Sequence, residues 1–162
     1  MKTLLKICGA ILICLVLLLV VLSITGLEPR QRTPGLWLKG NPATTPADWS
    51  FTDQVSTVEV QTRTRFLLPH SVTTYCVNYN GQLYLDSFYP PGVEYPHGRS
   101  WNENVARDPH VRLKIGNDLY DVTLVHVTDP AEKAALRELK AKKYPQLKIP
   151  PDPQVQLFHV IG

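Results

Sequence analysis

The chain has 162 residues, with 17 Lys and Arg, 14 Asp and Glu, and three cysteines. Two of the basic residues precede a long apolar run and all acidic residues follow it, which leaves 15 basic against 14 acidic residues for the rest of the chain. This balance excludes a general electrostatic attraction to nucleic acid. Only Cys76 follows the apolar run, so a disulfide within the domain is excluded and a single hydrophobic core must stabilise it.

The N-terminal segment predicts a membrane anchor. Residues 7–27 contain no charged side chain, and a helix of this length rises roughly 31 Å, close to the hydrocarbon thickness of a bilayer. We therefore assign residues 1–27 to a single transmembrane helix. A cleaved signal peptide is the alternative, but its apolar run is usually shorter, and residues 22–26 match the small-residue cleavage pattern poorly.

The charges that flank this run give opposing indications of orientation. Lys2 and Lys6 on a short leading tail favour a cytoplasmic N-terminus and a domain on the periplasmic or otherwise extracytoplasmic side. Arg30, Arg32 and Lys39 on the other flank oppose this orientation. Because the leading tail is so small, we expect the N-terminus to be inside.

After the anchor, residues 28–50 are rich in proline and glycine, which predicts a stalk with little regular structure. The domain proper is expected over residues 51–162. Its clearest local signal is Asn80-Gly81 between apolar segments 72–79 and 82–88, which predicts a type I′ hairpin that pairs Tyr79 with Gln82 and Val77 with Tyr84. Both faces of this hairpin are largely apolar, so its second face must meet a helix, a partner subunit or a planar ligand.

The remaining elements follow in order along the chain. A strand is expected over residues 55–62, a short helix over 101–107 with Ser100 as its N-cap, strands over 111–115 and 119–127, a helix from Asp129-Pro130 to about Tyr144, and a strand over 154–161. Six short strands with hairpin links favour a closed or nearly closed antiparallel barrel with one short and one longer helix. The fold class is therefore mainly β (α+β).

The chemistry-bearing residues do not form a hydrolytic or metal motif. The five histidines lack ligand spacing, so we predict no metal site, and no catalytic residue is assigned. Basic and small polar residues instead lie in loops beside the aromatic strands. Arg99 and Ser100 at the start of a short helix are suited to bind phosphate, because free N–H groups and the helix dipole favour an anion.

Four segments resemble one family when they are taken together. From about residue 55 to residue 144, the chain resembles the split β-barrel superfamily of pyridoxamine-phosphate oxidases and deazaflavin-dependent nitroreductases. The resemblance is carried by Asn80-Gly81-Gln82-Leu83-Tyr84-Leu85-Asp86-Ser87, Ser100-Trp101-Asn102-Glu103-Asn104-Val105, Arg107-Asp108-Pro109-His110-Val111-Arg112-Leu113-Lys114-Ile115-Gly116 and Val127-Thr128-Asp129-Pro130-Ala131-Glu132. The family's Lys/Arg-Thr/Ser-Gly motif is replaced by Thr62-Arg63-Thr64-Arg65.

The resemblance implies a homodimer with FMN or a deazaflavin at the subunit interface. The residues that it implies as cofactor contacts are Arg63, Arg65, Ser87, Arg99, Ser100 and Trp101. The cofactor would perform the hydride chemistry and the protein would bind and orient it. The resemblance therefore implies an oxidoreductase that reduces a small acceptor such as a quinone or nitro compound, and the predicted anchor, which is atypical of the family, would tether it to a membrane. The alternative is a split barrel that binds no cofactor, or haem or another ligand, and has a structural or interaction role at the cell envelope.

Overall fold

Six antiparallel strands form a closed barrel in the computed structural model of the chain, which describes residues 2–151 and 154–162. After the short strand β1 (Asn41–Pro42), the six barrel strands are β2 (Thr57–Arg63), β3 (Pro69–Tyr79), β4 (Gln82–Phe88), β5 (His110–Ile115), β6 (Asp118–His126) and β7 (Val155–Ile161). Neighbouring strands follow the order β6-β5-β2-β3-β4-β7, and β7 pairs again with β6 to close the ring. The two-residue β1 adds to β6 in parallel. The predicted fold class, a six-stranded antiparallel barrel in a mainly β protein, is confirmed.

Three α-helices and one short 3-10 helix accompany the barrel. They are α1 (Lys2–Thr25), the 3-10 helix (Ser50–Gln54), α2 (Ser100–Arg107) and α3 (Pro130–Lys143). None of the residues in α1 is buried, and within the described part of the chain it is the one helix that is long and apolar enough to cross a membrane. The start of α3 forms as its sequence predicts, because the Asp129 carboxylate accepts a hydrogen bond of 2.8 Å from the Glu132 backbone N–H.

The barrel interior is filled by side chains that alternate along each strand. Val58, Val60, Leu83, Leu85 and Phe158 are at most 1% exposed and lie in one core cluster. The β3–β4 register pairs Tyr79 with Gln82 and Val77 with Tyr84. The register predicted from Asn80-Gly81 is therefore confirmed, and Asn80 and Gly81 both adopt the positive φ that the turn requires.

The outer face of the β3–β4 hairpin is covered by α3. Leu136 is fully buried in a second core cluster with Tyr84, Val155 and Leu157. Further along α3, the fully buried Lys140 ammonium contacts the Asp86 carboxylate and lies 3.9 Å from the centre of the Phe88 ring. The sequence left a helix, a partner subunit or a planar ligand as the possible cover of the second apolar face, and in the structure helix α3 packs on it.

The hairpin opens where its two strands diverge. The β3–β4 ladder ends at the pair Cys76 and Leu85. Beyond it, β4 continues along β7 as far as Phe88, and the Thr74 hydroxyl donates a hydrogen bond to the Asp86 carbonyl. The first half of β3 therefore pairs with β2 on one side and leaves its other edge without a strand of the barrel.

The segment that follows α1 packs against this part of the barrel. Gly35 and Ser71 exchange two backbone hydrogen bonds of 2.8 and 3.0 Å at the open edge of β3. The Leu38 backbone N–H donates to Gln61 Oε1 over 2.7 Å, and Leu38 itself is buried. The segment between α1 and the 3-10 helix has little regular structure besides β1, and it is attached to the barrel at several points.

Candidate functional site

Helix α2 is fixed across the ends of β2 and β3 by polar side chains. The buried Asn104 amide donates to Thr62 Oγ1 over 2.9 Å, and the Arg107 guanidinium donates to the Arg63 carbonyl. The helix ends at Asp108, directly before Pro109, and the Asp108 N–H bonds to the Asn104 carbonyl. These contacts hold the second half of α2 beside the end of β2.

The N-cap of α2 is Arg99, and the prediction that Ser100 caps the helix was wrong. Arg99 has extended backbone angles, and no side chain caps the helix. Ser100 is the first helical residue, and its hydroxyl lies 3.1 Å from His70 Nε2 on β3. Because this imidazole is within reach, the hydroxyl bonds across to β3 and does not turn back to its own helix.

The first residues of α2 and of β3 meet at a surface that we call the α2 corner, defined by His70, Arg99 and Ser100. Arg99 and Ser100 are exposed, and Arg99 Nε donates to the Phe88 carbonyl over 3.0 Å. The nearby acidic Glu103 accepts a hydrogen bond from the Gly98 N–H. A guanidinium group beside a helix N-terminus can bind an anion such as a phosphate.

The other predicted contact residues differ in position and exposure. Arg65 is exposed in the β2–β3 turn, with its guanidinium 5.6 Å from the centre of the Phe66 ring. Arg63 is exposed at the end of β2, with Asp121 nearby. Ser87 is 5% exposed on β4, opposite Gln156 and next to Phe88. Trp101 is 6% exposed and packs against Phe158 with ring centres 5.2 Å apart, so its indole belongs to the barrel core. Of the six residues, Arg99 and Ser100 define the α2 corner.

Two buried polar atoms near the corner lack a partner among the described residues. They are His70 Nδ1 and Asn102 Oδ1. The Asn102 amide nitrogen is bonded to the Tyr89 hydroxyl at 2.6 Å, so only the oxygen is unpaired. Burial lowers the pKa of His70 from 6.5, which favours the neutral imidazole at neutral pH. A neutral ring can accept or donate one hydrogen bond to a bound molecule without an additional charge.

His70 belongs to the corner but was not among the residues predicted from the sequence. The predicted strand began at residue 72, whereas β3 begins at Pro69, because a proline can occupy the first position of a strand. The alternation of His70 with Val72 and Thr74 was the signal available, since it places the imidazole on the inner face opposite Thr62.

A separate cavity of about 310 Å³ lies near the start of β4, at the far end of that strand from Phe88. It is lined by Thr45, Trp49, Gln82, His159 and Gly162, among others. His159 stacks on Tyr84 with ring centres 4.7 Å apart and lies 3.1 Å from Gln82 Oε1. None of the predicted contact residues lines this cavity. The described residues also contain no group of three or more His, Cys, Asp or Glu placed to hold a metal ion.

The ring of six strands, opened between β3 and β4 and covered at one end by α2, is a split β-barrel. No protein-family model matches the sequence, and no curated protein matches it. Solved structures do match the fold, and 35 chains do so significantly. The chain has the split-barrel fold shared with pyridoxamine-phosphate-oxidase-like and deazaflavin-reductase-like proteins.

Three of these structures illustrate the match. A putative pyridoxamine 5'-phosphate oxidase from Listeria innocua is 18% identical, with a TM-score of 0.52 over 69% of this chain and 87% of that one. An F420-H2 dependent reductase is 22% identical, with a TM-score of 0.50 over 65% and 94%. A putative 5-nitroimidazole antibiotic resistance protein from Bacteroides thetaiotaomicron is 18% identical, with a TM-score of 0.51 over 69% and 75%. At these identities the comparisons establish the fold.

Proposed function

We propose that this protein is a membrane-tethered oxidoreductase that binds FMN or a deazaflavin and reduces a small acceptor such as a quinone or a nitro compound. The observation that carries the proposal is the α2 corner of the split barrel, where Arg99 and Ser100 begin α2 and the Ser100 hydroxyl lies 3.1 Å from His70 Nε2. The names of the structural neighbours, which include a reductase that depends on F420-H2, support the same class of activity.

The corner suits the phosphate end of such a cofactor. Arg99 would neutralise phosphate charge, and the Ser100 hydroxyl would donate a hydrogen bond once His70 releases it. His70 Nδ1, buried and without a partner among the described residues, would offer the remaining polar contact. A bound cofactor would supply the hydride chemistry, while the protein binds it, orients it and excludes water.

The flat ring of the cofactor needs a surface that one barrel does not provide on its hairpin. Tyr75 and Phe88 on the outer face of that hairpin are already packed against α3, since Tyr75 and Tyr144 have ring centres 5.0 Å apart and Lys140 lies over Phe88. The ring would therefore lie between two copies of the barrel, which makes a homodimer part of this proposal. Split barrels are found as dimers elsewhere, as one structural neighbour is a domain-swapped dimer.

The covered hairpin also favours a second candidate function. If the aromatic face of the hairpin serves only to pack against α3, the barrel is a binding or assembly module at the envelope that binds no flavin. The replacement of the expected Lys/Arg-Thr/Ser-Gly motif by residues 62–65 supports this alternative. The two functions differ in whether the α2 corner recognises a phosphorylated ring.

A comparison of FMN with riboflavin tests the proposal, because the two ligands differ only in the phosphate. With full-length protein in mild detergent, we expect flavin fluorescence to show tighter binding of FMN. A hydrogen bond to a charged group contributes about 1.5–3 kcal/mol, so Arg99→Gln should weaken FMN binding by roughly 10-fold or more and leave riboflavin nearly unchanged. The matched control is Arg32→Gln, an exposed arginine in the stalk.

Several outcomes would overturn the proposal. Equal affinity for FMN and riboflavin would remove the phosphate role of the corner. Failure to bind FMN, riboflavin and a deazaflavin would select the cofactor-free alternative. Extraction of the protein from native membranes by alkaline carbonate would contradict the tether without affecting the cofactor assignment.

A further inference from the structure

The turn between β2 and β3 exposes three consecutive apolar side chains. Phe66 is 76% exposed, Leu67 is 79% exposed and Leu68 is 45% exposed. Outside α1, Phe66 and Leu67 are the most exposed large apolar residues in the part of the chain that the structure describes. Leu67 also has a φ of 61°, a conformation that a side chain of this type rarely adopts. Isolated exposed apolar residues are ordinary, but a strained run of three at a turn indicates an interaction site.

Two arginines directly precede this apolar tip in the sequence. Arg63 and Arg65 are both exposed, and Arg65 lies over the ring of Phe66. The carboxylate near Arg63 is Asp121, which is already paired through both oxygens with Arg112 at 2.8 and 3.0 Å. An apolar tip with a basic rim is complementary to a phospholipid surface, where acyl chains lie beneath anionic phosphates.

The tip is also close to the base of the apolar helix. The chain leaves α1 at Thr25, and Gly35 packs so tightly on the Leu27 carbonyl that a Cβ there would lie 2.3 Å from it. Gly35 is in turn hydrogen-bonded to Ser71 on β3. Ser71 is three residues beyond Leu68, which is about 10 Å of strand. The tip and the end of α1 are thus attached to the same short stretch of β3.

We propose that residues 63–68 form a second membrane contact, in which Phe66, Leu67 and Leu68 enter the interface of the bilayer that holds α1. Arg63 and Arg65 contact the phosphate groups around the inserted tip. The two contacts together fix the orientation of the barrel against the membrane surface. The inference rests on α1 lying in a bilayer and does not depend on cofactor binding.

Photochemical cross-linking of the full-length protein tests the inference. A photoreactive benzoyl-phenylalanine is placed at position 66, and the matched control carries it at position 51, where an exposed phenylalanine lies near the other end of the barrel. The protein is reconstituted into phosphatidylcholine vesicles with and without phosphatidylglycerol, and adducts are identified by mass spectrometry. We expect phospholipid adducts from position 66, with a higher yield when phosphatidylglycerol is present, and few from position 51.

The arginines give a second readout. A basic residue at a membrane surface changes the ratio of bound to free tip roughly fivefold, so Arg63→Gln with Arg65→Gln should lower the lipid adduct yield at position 66 in phosphatidylglycerol vesicles. Adducts between two copies of the chain at position 66 would assign the tip to a protein interface and overturn the inference. Equal lipid yields at positions 66 and 51 would also overturn it. Vesicle flotation of the same samples shows separately whether α1 is inserted.

Discussion

Replacement of Lys140 by methionine should strongly destabilise the barrel. Lys140 is 0% exposed and Asp86 is 3% exposed, and their charged groups are in contact beneath α3. Lys140→Met keeps most of the side-chain volume but leaves the Asp86 carboxylate buried without its counter-ion. Asp86 Oδ1 already lacks a hydrogen-bond partner among the described residues, so the remaining charge would have little compensation.

The expected cost follows from the burial of this pair. Removal of one partner from a buried ion pair typically costs about 3–5 kcal/mol, of a total stability of about 5–15 kcal/mol for a domain. The lost contact of the ammonium with the Phe88 ring adds to this cost. With a urea dependence of about 2 kcal/mol per molar, the midpoint of unfolding should fall by roughly 1.5–2.5 M.

Urea denaturation in mild detergent measures this shift, with the fluorescence of the buried Trp49 and Trp101 as the signal. Lys142→Met, at an exposed position of the same helix, is the control and should change the midpoint little. The double variant with Asp86→Asn should recover much of the loss, because no unpaired charge remains. A midpoint for Lys140→Met equal to that of the control would refute the reasoning.

Three further predictions concern local features of the fold. Asp129→Ala removes the cap of α3 and should cost about 1 kcal/mol in thermal or urea unfolding, whereas Asp129→Asn should cost less; equal losses would argue against capping. Gly35→Ala should loosen the stalk, because its Cβ would clash with the Leu27 carbonyl, and faster proteolysis within residues 28–40 is the readout; unchanged cleavage would contradict the packing. Burial lowers the pKa of His70 below 6.5, so on acidification this imidazole is protonated in the unfolded chain before it is protonated in the folded protein. The free energy of unfolding should therefore fall as the pH decreases below 6.5. His70→Gln should reduce that dependence, and an unchanged pH profile would show that His70 does not contribute to it.

The sequence predicted the elements whose signals are local. Asn80-Gly81 determined a hairpin register because only one turn type suits two residues at positive φ, and Asp129-Pro130 determined where α3 begins because cap and proline act within one turn. The elements that it missed depend on contacts distant in the chain. Ser100 bonds to His70, 30 residues away, and no local rule anticipates that choice over capping.

The same distinction between local signals and contacts distant in the chain explains which features of the hairpin and of the candidate site could be predicted. The sequence predicted that both faces of residues 72–88 are apolar. It did not predict which partner covers the outer face, because that depends on the placement of α3, more than 40 residues later in the chain. The family resemblance implies Trp101 as a cofactor contact, together with Arg99 and Ser100. The helical rotation of α2 turns its indole into the core, whereas the neighbouring Ser100 stays exposed.

The pairing of Gly35 with Ser71 has a practical consequence for work in solution. An unpaired strand edge is a template for association with another chain, and natural sheets protect such edges with a covering segment. A shortened version that starts at Ser50 would remove this cover along with α1 and expose the backbone of residues 69–75. Such a truncated protein should aggregate or exchange strands between copies, whereas one that begins at Glu28 should remain dispersed and keep its edge closed.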